Sequence, residues 1–190
     1  MALAACAVPL ERYEAGRYAD AAIAARSAGN YALARSNWAK AIAHAQLGAG
    51  RTRELAIAYY EYGRSSGIIC DWDEANRGLQ RSLELDRSVN GPVHMSLIEL
   101  ARMNLDRGHY EAARGYFEQA NDLYEAMSAE TRDPIGYAQF LDEYSLALDR
   151  TGAHDKAAPF RARAQQLRAT FPKGESHSER TPYGTQCGTS

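Results

Sequence analysis

A chain of 190 residues is long enough to bury one continuous core. A hydrophobic share of 45%, a charged share of 24% and a formal net charge of -2 are those of a soluble globular domain, with no overall basic field to hold nucleic acid or an anionic membrane surface. No run approaches the roughly 18 consecutive apolar residues of a membrane-spanning helix. Richness in Ala, Leu, Arg and Glu, with no alternating strand pattern, predicts an all-α fold.

The chain opens Met1-Ala2-Leu3-Ala4-Ala5-Cys6. Leu3-Ala4-Ala5-Cys6 resembles the bacterial lipobox, where a signal peptidase cuts before a cysteine that carries lipid. Small residues before Cys6 fit a protease pocket, and the thiol would take the diacylglyceryl group; a basic and apolar leader would precede it. The resemblance implies that residues 1–11 are leader remnant and linker. It also makes Cys6 the lipid-attachment residue and the chain's one route to a membrane, in a bacterial envelope and facing the periplasm. If the tetrad is a coincidence, the chain is cytoplasmic.

Residues 12–172 carry a repeat. Four turns, Gly29-Asn30-Tyr31, Cys70-Asp71-Trp72, Gly108-His109-Tyr110 and Gly152-Ala153-His154, are each followed by an alanine: Ala34, Ala75, Ala113 and Ala157. Four residues on stand Trp38, Leu79, Phe117 and, in the last case, Arg161; small residues recur at Ala41, Ser82, Ala120 and Ala164. Two antiparallel helices pack closely only where small side chains meet, with a large one beside them to fill the groove. Before each turn a first helix repeats a large, large, small pattern: Tyr59, Tyr62 and Gly63, then Leu97, Leu100 and Ala101, then Leu141, Tyr144 and Ser145. Tyr18 to Ala22 follows it weakly. Arg161 in place of an aromatic fits a terminal hairpin whose outer face meets water.

These residues resemble the tetratricopeptide repeat family. The turns are spaced by 41, 38 and 44 residues, against the family's usual period of about 34. The extra residues fall between hairpins, at 47–50, 88–92 and 129–134, where Asp133-Pro134 predicts a helix start. The resemblance implies a right-handed α-solenoid of about four helical hairpins whose first helices line a concave groove. It implies a non-catalytic adaptor that holds a peptide or helix of a partner protein. The alternative is a cytoplasmic regulatory sensor that binds a signalling peptide. Aligned repeats place Ala19, Tyr60, Ile98 and Asp142 on the groove stripe. One turn later come Ile23, Arg64, Arg102 and Leu146, then Arg26, Gly67, Leu105 and Asp149. Tyr60, Arg64, Ile98, Arg102 and Leu105 are the candidate partner-binding residues, since two arginines in neighbouring repeats can grip a carboxylate bidentately. Glu61 and Glu99, three residues earlier, offer each arginine an intrahelical partner instead.

Residues 173–190, rich in Ser, Thr, Gly and Pro, are expected to be a mostly disordered tail, with order near Tyr183. Cys70 and Cys187 are either a tail-to-turn disulfide, which an oxidising periplasm would permit, or two unpaired thiols. The five histidines (His44, His94, His109, His154 and His177) are scattered. No phosphate loop, nucleophile elbow or His-Glu-x-x-His motif is present. No enzyme activity, cofactor or metal site is expected.

Overall fold

The computed structural model describes residues 3–176 and 180–188, with side chains from Val8 onward. The described residues form nine helices and no strand. They are α1 (Leu3–Ser27), α2 (Tyr31–Leu47), α3 (Thr52–Ile68), α4 (Trp72–Ser88), α5 (Val93–Asp106), α6 (Tyr110–Ala126), α7 (Ala129–Arg132), α8 (Pro134–Arg150) and α9 (His154–Thr170). Four hairpins of the tetratricopeptide type result: α1 with α2, α3 with α4, α5 with α6, and α8 with α9.

The four predicted turns share one backbone geometry. Gly29, Cys70, Gly108 and Gly152 all lie in the left-handed region, at φ +74°, +70°, +74° and +79°. In each, the next amide reaches back to a carbonyl of the first helix: Asn30 N to Ala25 O, Asp71 N to Ser66 O, His109 N to Asn104 O and Ala153 N to Leu148 O, at 2.8–2.9 Å. This closure satisfies carbonyls that a helix end leaves open. Asn30 then caps α2, its side chain accepting from Leu33 N at 3.0 Å. Asp133 caps α8, accepting from Gly136 N at 2.8 Å with Pro134 in the first turn, as the Asp-Pro pair predicts.

The chain divides into two compact units, residues 1–96 with 183–190, and residues 97–182. In the first, Ala34, Trp38 and Ala41 of α2 are buried together with Ala22, Ala25 and Ala58. The backbones of α3 and α4 touch at two glycines: a Cβ on Gly78 would fall 2.8 Å from the Cα of Gly63. In the second unit the core is aromatic. Phe117 meets Phe140 edge-on at 5.6 Å, and Tyr124 meets Phe140 at 4.7 Å. Ala113, Phe117 and Ala120 are fully buried, and a ring of this size contributes about 1.5–3 kcal/mol when removed from water. Arg161 is exposed and pairs with Asp149 at 2.6 Å.

Three places differ from expectation. Helix α1 begins at Leu3 rather than after a linker ending at residue 11: Leu3, Ala4, Ala5 and Ala7 are good helix formers, and the helix runs on through Pro9. The backbone of Cys6 therefore lies in α1, while its side chain, and with it the lipid-attachment reading, lies outside the described residues. The segment between the third and fourth hairpins contains a short helix, α7. Order in the tail extends over 180–188, wider than the expected neighbourhood of Tyr183; Tyr183 itself is 6% exposed.

Candidate functional site

The five residues expected to line a groove divide between the two units. In the first, Tyr60 is half-buried with the Arg64 guanidinium 5.5 Å over its ring, a cation–π distance. Arg64 reaches Glu61 at 3.5 Å, and Arg26 approaches the same carboxylate at 3.9 Å. Tyr60 also lines a hollow of about 290 Å3 beside Ile57, Ser82 and Met95.

In the second unit Ile98, Arg102 and Leu105 are 4%, 5% and 7% exposed. They face the core rather than a partner. Arg102 donates from Nη1 to Glu99 Oε1 at 3.0 Å and from Nε to Glu143 Oε2 at 2.7 Å. Burial works against the guanidinium charge, but Glu143 and Glu99 outweigh it and raise the Arg102 pKa above the ordinary arginine value. Burial pushes the Glu143 carboxyl up against the pull of Arg102 and Arg180. At 5% exposure, with two carboxylates already on it, Arg102 offers no open surface to a third. The intrahelical pairing anticipated for Glu61–Arg64 and Glu99–Arg102 is what forms, so the expected two-arginine grip is not available.

The tail supplies a further cation. Arg180 lies 2.5 Å from Asp106 and 2.9 Å from Glu143, one carboxylate from α5 and one from α8. Within the second unit, the chain's own end thus occupies the first-helix side that a partner was expected to fill. Composition alone could not reveal this, because a Ser, Thr and Gly-rich tail reads as loose chain.

An open cleft of about 510 Å3 lies in the first unit. Ala19 and Ile23 of α1 form one wall and Ile57 of α3 the other, over a floor of Trp38, Ala41 and Ala45 from α2. Alanines are too short to fill the space between α1 and α3, so the cleft stays open and apolar. Ile23 and Ile57 are 44% and 53% exposed, large aliphatic side chains left to water on facing walls. At one end Arg12 donates to Gly48 O at 2.9 Å and Ala49 O at 3.2 Å, carbonyls that leave its charge intact. Arg51 and Glu54 pair at the same rim. Ala19 and Ile23 lay on the sequence stripe. Ile57 did not, although it precedes Tyr60 by three residues and so continues the same helix face.

Cys70 and Cys187 form a disulfide with their Cα atoms 5.1 Å apart. Among the described residues no three His, Cys, Asp or Glu side chains converge as a metal site, and no helix is long and apolar enough to cross a membrane.

No family model and no curated protein matches the sequence. Solved structures do. The chain is similar to BtubC (BKLC) from P. vanneervenii, with a TM-score of 0.76 at 16% identity, covering 88% of this chain and 68% of that one. It is also similar to the MamA protein, with a TM-score of 0.50 at 17% identity, covering 89% of this chain and 98% of that one. At these identities the likeness shows the fold alone, a helical repeat of the tetratricopeptide type.

Proposed function

We propose that the protein is a non-catalytic adaptor that holds the apolar face of an amphipathic helix from a partner protein in the cleft between α1 and α3. The observation that carries this reading is the pair Ile23 and Ile57, exposed on opposite walls over a floor that includes Trp38. An apolar cleft of about 510 Å3 suits two or three aliphatic side chains spaced one turn apart on such a helix. The rim offers an acidic residue the end beside Arg12, whose guanidinium donates to the Gly48 and Ala49 carbonyls with Glu54 nearby. Tyr60, with Arg64 over its ring, lies at the separate hollow that Ile57 also lines; Ile98, Arg102 and Leu105 are buried in the second unit.

We place the protein at a bacterial envelope, anchored through Cys6 and facing the periplasm. Leu3-Ala4-Ala5-Cys6 supports this, and so does a disulfide, a bond that persists in oxidising compartments and is rare in reducing ones. Mass spectrometry of the protein from its native membrane fraction tests the location. A lipid on an N-terminal Cys6 agrees with it; an unmodified chain in the cytosol removes it.

The binding reading is tested in the native cell by a photo-crosslinking residue placed at Ile23, at Ile57, or at the exposed Gln166 on α9. Discrete adducts at the two cleft positions, lost when the opposite wall carries glutamate and absent at Gln166, are expected. Equal labelling at all three positions would sink the proposal.

A further inference from the structure

Tyr183 to Cys187 binds the first unit as a short peptide ligand would. The Tyr183 ring fills the space that Gly67 leaves by lacking a side chain: a Cβ at residue 67 would overlap the ring's Cδ1 and Cε1. Gly184 follows at φ +75°, against Trp72, where a Cβ would fall 3.2 Å from Cη2. Two main-chain bonds hold the segment: Gly184 N donates to Gly67 O and Gln186 N to Ile68 O, both at 3.0 Å. These carbonyls belong to the last turn of α3, which carries partial negative charge; Gly67 O also accepts from Cys70 N at 3.2 Å. The Gln186 side chain adds a bond from Nε2 to Gly29 O at 3.0 Å. An aromatic anchor seated on a glycine, with two main-chain bonds beside it, holds the segment in a turn against the end of α3.

The disulfide fastens this segment to the turn below it. Cys70 holds φ +70° where the three equivalent turns have glycine. A side chain in that conformation costs about 1–2 kcal/mol, so the position tolerates strain in order to carry a thiol. Cys187 is exposed and Cys70 half-buried, which leaves the outer sulfur open to attack.

We propose that this seat is a second binding site, for a turn-forming segment of a partner protein in which a tyrosine is followed by glycine. Tyr183 to Cys187 is its tethered occupant, and the Cys70–Cys187 disulfide keeps the site closed. Opening takes two electrons from a dithiol. One thiolate of the reductant attacks Cys187 Sγ, and Cys70 leaves as a thiolate and takes a proton. The reductant's second thiol then displaces Cys187, and the reductant departs as a disulfide. After the bond is cut the tail still competes from an effective concentration of about 1 mM, so the partner must bind more tightly than the tail does. The seat is separate from the cleft between α1 and α3 and stands independently of it.

The test uses the full chain carrying Tyr183→Ala and Cys187→Ser, which cuts the latch and vacates the seat. The probe is a fluorescent peptide with the sequence of residues 180–188 and serine in place of the cysteine, read by anisotropy. Saturable binding is expected, ~tenfold or more weaker when Gly67→Ala is added, with no binding to the oxidised unmodified chain. No binding at ~1 mM peptide to a variant of unchanged helicity would overturn the proposal. If that variant does not fold, the unmodified chain decides. On reduction, hydrogen exchange at the Gly184 and Gln186 amides should accelerate and the peptide should bind. Unchanged protection without peptide uptake would overturn it.

Discussion

Arg102 and Glu143 meet 2.7 Å apart inside the second unit, and Glu99 closes on the same guanidinium at 3.0 Å. The side chains of all three are at most 10% exposed. Replacing Arg102 with methionine would leave two buried carboxylates facing a gap. Removing one partner of a buried ion pair costs about 3–5 kcal/mol. Urea unfolding of Arg102→Met should lose about that much, with Arg180 offsetting part of the charge on Glu143. A loss no larger than that of a surface substitution would show that the network carries no stability.

Glu143 also has a signature in pH. Its carboxyl is pushed up by burial in the folded state, so the native chain holds this proton more tightly than the unfolded chain does. Stability from this group is fully present below the ordinary glutamate pKa and is lost as pH rises through the raised folded value. Unfolding free energy, followed upward from pH 4, should fall across that window. Glu143→Gln should remove that part of the slope. An identical slope in the variant would assign the proton elsewhere.

Two glycine substitutions should have opposite signs. At Gly78 an added Cβ would meet Gly63 Cα at 2.8 Å and Tyr59 O at 3.0 Å, both backbone atoms that cannot swing aside. Gly78→Ala should cost about 1–3 kcal/mol. Nothing lies within 4 Å of a Cβ at Gly115 in α6, and Gly115→Ala should stabilise by about 0.5–1 kcal/mol through helix propensity. Thermal unfolding of both variants distinguishes close packing from propensity.

Cys70→Gly separates backbone strain from the covalent link. With the thiols reduced, glycine relieves the φ of +70° and should add about 1 kcal/mol. Under oxidising conditions the unmodified chain should be the more stable, by about 2–4 kcal/mol, since its disulfide constrains a sequence separation of 117 residues in the unfolded state. Denaturant midpoints with and without reductant should therefore cross between the two proteins.

At the cleft, Ile57→Glu should leave stability within about 0.5 kcal/mol, because the side chain is 53% exposed. The same change should abolish crosslinking from Ile23. Retained adducts with retained stability would move the partner site off this surface.

The repeat was legible because local physics writes it. Small residues must recur where Ala34, Ala75, Ala113 and Ala157 approach a neighbouring helix, and all four are fully buried. The glycine turns must take a left-handed φ, so they stand out in any register. The Asp133-Pro134 start is equally local. What the stripe alignment could not decide was which first-helix residues remain open. Arg102 is equivalent to Arg64 by spacing, yet its environment is set by Glu143, which is 41 residues away in sequence.

Sequence alone therefore determined the helices, their pairing into hairpins and the positions of the turns, because each depends on residues within about one repeat of one another. The tertiary structure decided which first-helix residues stay open to water and what already covers the rest. Arg180 reaches Asp106 from 74 residues away, and Cys187 reaches Cys70 from 117. Contacts at such separations follow from where the helices carry the chain in space, and no local periodicity encodes them.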